Sequence, residues 1–252
     1  MRNLLTISLW IMSYRCALAI VGGAPVNEDS LSQSVVTIVG SRGTFCSGAL
    51  IAPDIVLSAA HCIASGDVQK VIIPGETPPR LLGVKRVASH PQFKAQGIQE
   101  HRASADVALL QLTEPLPDPK APWPIGVPRV PVTAGGSFIV VGVGVTTRGE
   151  GKSGGTIRSA KLVATGNPGN LQIRLTDPAT NNVRQGLGAC TGDSGAPVFQ
   201  NQSGSVKIVG VVSWSTGANN SSGCGGLTGV TPLTLYRGWI SKMALEMGSP
   251  IQ

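Results

Sequence analysis

Along most of the chain, short apolar runs alternate with clusters of turn residues, a rhythm that predicts strands rather than helices. In the first half the runs fall at 35–39, 49–51, 55–57 and 71–73, and the pattern lasts to about Leu112. In the second half they fall at 137–144, 161–164, 171–175 and 207–214. Between the halves, over 114–131, prolines recur too often for a central strand, because each lacks the N–H a ladder needs. That passage reads as the crossover between two strand-rich units. After Pro232 the period changes. Leu235, Trp239, Met243 and Leu245 recur near helical spacing, which predicts a helix over 233–247 with Pro232 at its start.

Composition supports this picture. Thirty-three glycines and only 13% charged residues in 252 suit many short strands joined by tight turns, hence an all-β barrel or sandwich. The first residues depart from it. Met1-Arg2-Asn3 gives a positive start, and the apolar stretch over 4–12 is too short to span a bilayer as a helix. With Ala17-Leu18-Ala19 supplying small residues at a cut site, residues 1–19 read as a secretory signal and 20–252 as the mature chain, beginning Ile20-Val21-Gly22-Gly23. Secretion or a periplasmic location follows, and no membrane anchor is expected.

Removing that segment takes away Cys16 and leaves Cys46, Cys62, Cys190 and Cys224, an even number suited to two disulfides in an oxidising compartment. Three pairings remain open. No close Cys spacing or carboxylate-rich loop suggests a metal site, and no cofactor is expected. The formal charge of +7 falls to +5 once Arg2 and Arg15 are lost. The basic residues are scattered rather than clustered, so nucleic acid is not an expected partner.

Three segments carry candidate chemistry. They are Ser58-Ala59-Ala60-His61-Cys62, Ala105-Asp106-Val107-Ala108-Leu109-Leu110 and Gly192-Asp193-Ser194-Gly195-Ala196-Pro197. A serine hydroxyl is a poor nucleophile at neutral pH and needs an imidazole to take its proton, and the imidazole in turn needs a carboxylate to fix its tautomer. Each residue alone has a plain structural reading. Histidine, aspartate and serine in this order, each in such a motif, match one convergent version of the catalytic triad. His90, beside Pro91, and His101, in a polar loop, lie in no such motif.

The three motifs together resemble the chymotrypsin/trypsin-type serine endopeptidases, and the short cysteine set resembles the compact bacterial-type secreted members. The resemblance covers nearly all of the mature chain. It implies two six-stranded antiparallel β-barrels, about 20–120 and 121–231, with the active site in the cleft between them and a C-terminal α-helix. It implies His61, Asp106 and Ser194 as the triad, and the N–H groups of Gly192 and Ser194 as an oxyanion hole. It pairs Cys46 with Cys62 and Cys190 with Cys224. It also implies an activation ion pair between the Ile20 ammonium and Asp193. Most members carry Arg or Lys before that isoleucine; here it is Ala19, so export processing itself would expose Ile20.

The same resemblance places Gly188 at the floor of the specificity pocket, Ser213, Trp214 and Ser215 along the substrate backbone, and Gly229 on the opposite wall. With no carboxylate at the floor, cleavage after Ala, Val or Leu is expected rather than after Arg or Lys. Protein or peptide substrates, and a protein inhibitor, are the expected partners of a monomer. The other reading is a catalytically silent homologue that acts as a basic binding module, since fold does not guarantee activity.

Overall fold

The computed structural model describes residues 20–63, 67–166 and 171–251. The signal segment over 1–19 therefore lies outside the described residues. Twelve strands form two closed antiparallel barrels, as the resemblance implied. The first contains β1 (Val35–Gly40), β2 (Phe45–Ala52), β3 (Ile55–Ser58), β4 (Gln69–Ile72), β5 (Leu81–Ser89) and β6 (Ala108–Leu112), hydrogen-bonded in the order β1-β2-β3-β6-β5-β4 and closed by β1 on β4. The second contains β7 (Ser137–Gly142), β8 (Arg158–Ala164), β9 (Ile173–Thr176), β10 (Pro197–Gln202), β11 (Ser205–Ser215) and β12 (Thr228–Pro232), in the order β10-β11-β12-β9-β8-β7 and closed by β10 on β7.

Alternation of side chains explains why closure works. Val36, Ile38, Leu50, Val56, Val71 and Leu110 share one apolar cluster inside the first barrel, and Phe138, Val140, Leu162, Leu175, Val198 and Val230 share another in the second. The opposite faces of several strands are buried too. Val35, Ala49, Leu57, Leu109, Val141, Phe199 and Val211 form a third cluster, which fuses the barrels into one body. β5 is the exception, with Lys85, Arg86 and Val87 exposed, and its lack of alternation hid it from the hydrophobic pattern.

No strand forms between Leu112 and Ser137. The proline-rich connector instead stitches the barrels together: Trp123 N–H donates to the Leu50 carbonyl, Gly126 N–H donates to Ile208, and Ile208 N–H donates back to Pro124. The Trp123 indole donates to the Val206 carbonyl and meets the Phe199 ring edge-on. Lys120 Nζ donates to the carbonyls of Ser32 and Val35, and burial lowers its pKa to about 8.

Among the described residues there are two α-helices, α1 (Ala95–Gln99) and α2 (Arg237–Glu246), the second preceded by a 3-10 turn over Leu233–Leu235. The predicted helix exists, but its buried face differs from the expected one. Leu235 and Leu245 are exposed, whereas Tyr236, Ile240, Ala244 and Met247 are buried, with Trp239 and Met243 partly covered. The 3-10 turn at the start shifts the phase, so Leu235 falls outside the α-helical stripe.

Candidate active site

On the first-barrel side, β3 ends at Ser58 and the chain enters a single 3-10 turn, Ala60–Cys62, which carries His61 at the cleft. A disulfide from Cys62 to Cys46 ties this turn to β2. Asp106, just before β6, is fully buried. Its carboxylate accepts three hydrogen bonds: from the His61 backbone N–H at 2.9 Å, from His61 Nδ1 at 2.8 Å and from the Ser213 hydroxyl at 2.6 Å. Such a carboxylate fixes the tautomer: the Nδ1 hydrogen points at Asp106, and Nε2 is left as the acceptor. Two strands from different barrels are needed for this, because Ser213 lies on β11.

On the second-barrel side, the loop from Cys190 to Ala196 carries Ser194, and a disulfide from Cys190 to Cys224 anchors its start. Thr191 carbonyl accepts from Val145 N–H, and Asp193 N–H donates to the Cys190 carbonyl. The N–H groups of Gly192 and Ser194 find no acceptor among the described residues, and both residues line the cleft. Gly195 has φ +77°, and a Cβ there would overlap Ser58 Oγ and the Ser47 carbonyl, so only glycine fits. Ser194 Oγ makes no hydrogen bond to the His61 ring, a contact that in free enzymes is often long and tightens on substrate.

Asp193 is completely buried, and among the described residues its carboxylate accepts only the N–H groups of Gly144 at 2.8 Å and Cys190 at 2.9 Å. Burial pushes its pKa up to about 7, and the two backbone hydrogen bonds offset only part of that. Ile20 is also fully buried, in the same apolar cluster as Ala189 and Ala196, and Val21 pairs with Gly188. With Ala19 still attached, the Ile20 nitrogen is an uncharged amide.

His61, Gly192, Ser194 and Ser215 border one cleft of about 640 Å³. Ser213 is buried against Asp106, and Trp214 is buried with its indole N–H unpartnered among the described residues. Gly188 does not border the cleft; a Cβ on it would sit 3.0 Å from Gly225 Cα. Gly229 faces the Trp214 ring, which occupies the space a Cβ would need. The adjacent Thr228 turns the other way: it pairs with Ser215, and its hydroxyl accepts Ala189 N–H at 3.0 Å. β11 shifts register between Val212 and Trp214, so that Trp214 pairs with Gly229 and Ser215 with Thr228.

Three more residues were not singled out from sequence. His101 lies 4.5 Å from the Trp214 ring and borders the cleft, Arg148 crosses its rim to the Ser222 hydroxyl, and Ser47 reaches the serine loop from the first barrel. No motif marks them, since their partners come from distant segments. Among the described residues, one group of three could share a metal ion, Cys46, His61 and Cys62, and its sulfurs are joined in a disulfide and offer no thiolate.

Known proteins of the same build are numerous. The chain is 28% identical to Trypsin 5G1 of Aedes aegypti, over 93% of this chain and 88% of that protein. It is 26% identical to the snake venom serine protease rhinocerase 4 of Bitis rhinoceros, over 96% and 93%, and 27% identical to a trypsin-like protease of Streptomyces glaucescens, over 89% and 82%. These relatives come from an insect, a snake and a bacterium, so they do not single out the bacterial type. In fold it is similar to the solved atomic-resolution structure of HBP, with a TM-score of 0.70 at 22% identity, covering 92% of this chain and all of the other. The trypsin family model matches residues 20–240, and the chain belongs to the trypsin family of serine proteases.

Proposed function

We propose that this protein is a secreted serine endopeptidase that hydrolyses peptide bonds through an acyl-enzyme on Ser194, after small or medium apolar residues. The observation that carries the reading is the triple hydrogen bonding of buried Asp106, which aims the His61 ring into the cleft that also contains Ser194. His61 Nε2 takes the hydroxyl proton as Ser194 Oγ adds to the carbonyl carbon. The negative oxygen that forms accepts from the Gly192 and Ser194 N–H groups, which have no other acceptor. Collapse breaks the C–N bond, and His61 returns the proton to the leaving amine. Water then repeats the sequence on the ester, releasing the acid and restoring Ser194.

Asp193 supports a further step, activation. A buried carboxylate without a cation is costly, and cleavage before Ile20 would create an ammonium on a residue already packed against the same loop. The loop and oxyanion hole then settle around an Ile20–Asp193 ion pair. Export through a signal cut after Ala19 would deliver that end directly, and the two disulfides fit an oxidising compartment. For specificity, Thr228 replaces Gly229 as the residue that limits depth behind Ser215, and no carboxylate borders the cleft to neutralise a basic side chain.

The test is digestion of a diverse peptide mixture by protein starting at Ile20, beside its Ser194→Ala variant, with cut sites read by mass spectrometry. Serine-dependent cuts after Ala, Val or Leu are expected. Identical peptide maps from the two proteins would refute peptidase activity and return the silent binding homologue to first place.

A further inference from the structure

Ser47 belongs to β2 of the first barrel, yet its strongest contacts are with the second. It is fully buried. Its hydroxyl donates to the Gly192 carbonyl at 2.8 Å and accepts the Val143 N–H at 3.1 Å. Its backbone N–H donates to the Ser194 carbonyl at 2.8 Å, and its own carbonyl accepts the Ser58 hydroxyl at 2.8 Å. One side chain thus joins the loop carrying the nucleophile to the end of β7, across the barrel interface.

The consequence lies in the geometry of Gly192. Its backbone has φ +94°, a conformation with few steric restraints, so something outside the residue must fix how its peptide groups point. The peptide that follows Gly192 is clamped on both sides: its carbonyl by Ser47 Oγ, its N–H by the Cys190 carbonyl. The peptide before it is held by Val145 N–H on the Thr191 carbonyl. In a trans peptide the N–H points opposite to the carbonyl, so the Val145 contact turns the Gly192 N–H away from Val145, and the Ser47 contact on the next peptide fixes the rotation about Gly192 that keeps it there. Remove the Ser47 hydroxyl and two buried backbone groups, the Gly192 carbonyl and the Val143 N–H, lose their partner, and rotation of the 192–193 peptide offers itself as relief.

We propose that Ser47 is a positioning residue for the oxyanion hole: its hydroxyl bridges Val143 N–H to the Gly192 carbonyl and so aims the Gly192 N–H into the cleft. This rests on the peptidase reading of Ser194. Because donors in such a site act on charge that develops only in the transition state, the hydroxyl governs kcat and leaves substrate binding almost untouched.

The experiment compares Ser47→Ala with wild type on a peptide p-nitroanilide, and measures inhibition by a peptide boronic acid of the same sequence. Ser34→Ala is the control for stability alone, because Ser34 is equally buried and its hydroxyl bonds only the Leu31 carbonyl, in the turn before β1. The expected result is a fall in kcat of about 10- to 100-fold with KM changed less than about 3-fold, less than the loss from deleting a donor outright. Boronate affinity falls in parallel, while Ser34→Ala moves neither. The isosteric pair Ser47→Thr and Ser47→Val differs in the hydroxyl and carries the same test should Ser47→Ala not fold; Thr then exceeds Val in kcat by the same factor. A kcat within about 3-fold of wild type in folded Ser47→Ala, or equal kcat for Thr and Val, overturns the role of Ser47 alone. Absence of Ser194-dependent turnover in the wild type overturns the peptidase reading and this role with it.

Discussion

Two buried aspartates, one from each barrel, solve the same problem in different ways. Asp106 and Asp193 are both inaccessible to solvent, and each holds a segment that borders the cleft. Asp106 has a backbone N–H, an imidazole and a hydroxyl around it, supplied by both barrels. Asp193 has two backbone N–H groups and, among the described residues, no cation, and its pKa is displaced to about 7. The His61–Asp106 pair is therefore assembled as soon as the barrels pack, whereas the loop of Ser194 surrounds a carboxylate with no cation beside it among the described residues. On the proposed function, half of the site is fixed and the other half is conditional on a new N-terminus at Ile20.

The sharpest way to break that contrast is to neutralise each aspartate in turn in protein that starts at Ile20. Asp106→Asn is expected to lower kcat by about 10⁴-fold with the fold intact, because the amide favours the wrong imidazole tautomer. Thermal unfolding with kcat on a peptide amide checks both halves of that statement. A loss below about 10-fold would mean that Asp106 does not orient the base.

A smaller effect tests the conditional half. Protein that retains residues 1–19 is compared with protein starting at Ile20, both carrying Ser194→Ala to prevent self-digestion. In the longer chain the folded pKa of Asp193, about 7, lies above its ordinary value of 3.8. The folded state then binds the proton more tightly than the unfolded state. Stability is accordingly greatest at acid pH and falls as pH rises from about 4 to about 7, by about 4 kcal/mol in total. Urea unfolding across that range should show the decline, and adding Asp193→Asn should flatten it. In the chain that starts at Ile20, the ammonium favours the carboxylate and the decline should vanish. Equal slopes in the two chains would remove the proposed ion pair.

Legibility in the sequence follows the same division. Barrel strands with a continuous apolar run, such as β1, or with strict alternation, such as β8, stand out, and so do the His61, Asp106 and Ser194 motifs, because local pattern carries both. Ser47 is silent in sequence: its role depends on partners 96 and 145 residues away. The resemblance put Gly229 on a pocket wall, and in the fold its missing Cβ makes room for the Trp214 ring, a neighbour set by strand register that leaves no compositional mark. The stripe on α2 was misread for a similar reason, since a single 3-10 turn changes the phase of the residues after it.

The smallest predicted effect asks whether the conditional half already contains a settled pocket wall. Thr228 and Gly229 are neighbours on β12 but present opposite faces, one to Ala189 and the other to Trp214. Thr228→Ser keeps the hydroxyl that accepts Ala189 N–H and removes one methyl group. If that methyl limits the pocket, the ratio of kcat/KM for Leu over Ala before the cut bond should rise about 10-fold, the lower end of what one methyl group is worth in an apolar site. Gly229→Ala should leave that ratio unchanged and instead lower the melting temperature, because its Cβ collides with the indole. The reverse outcome, selectivity that follows residue 229 and ignores residue 228, would show that the strand turns its other face to the substrate.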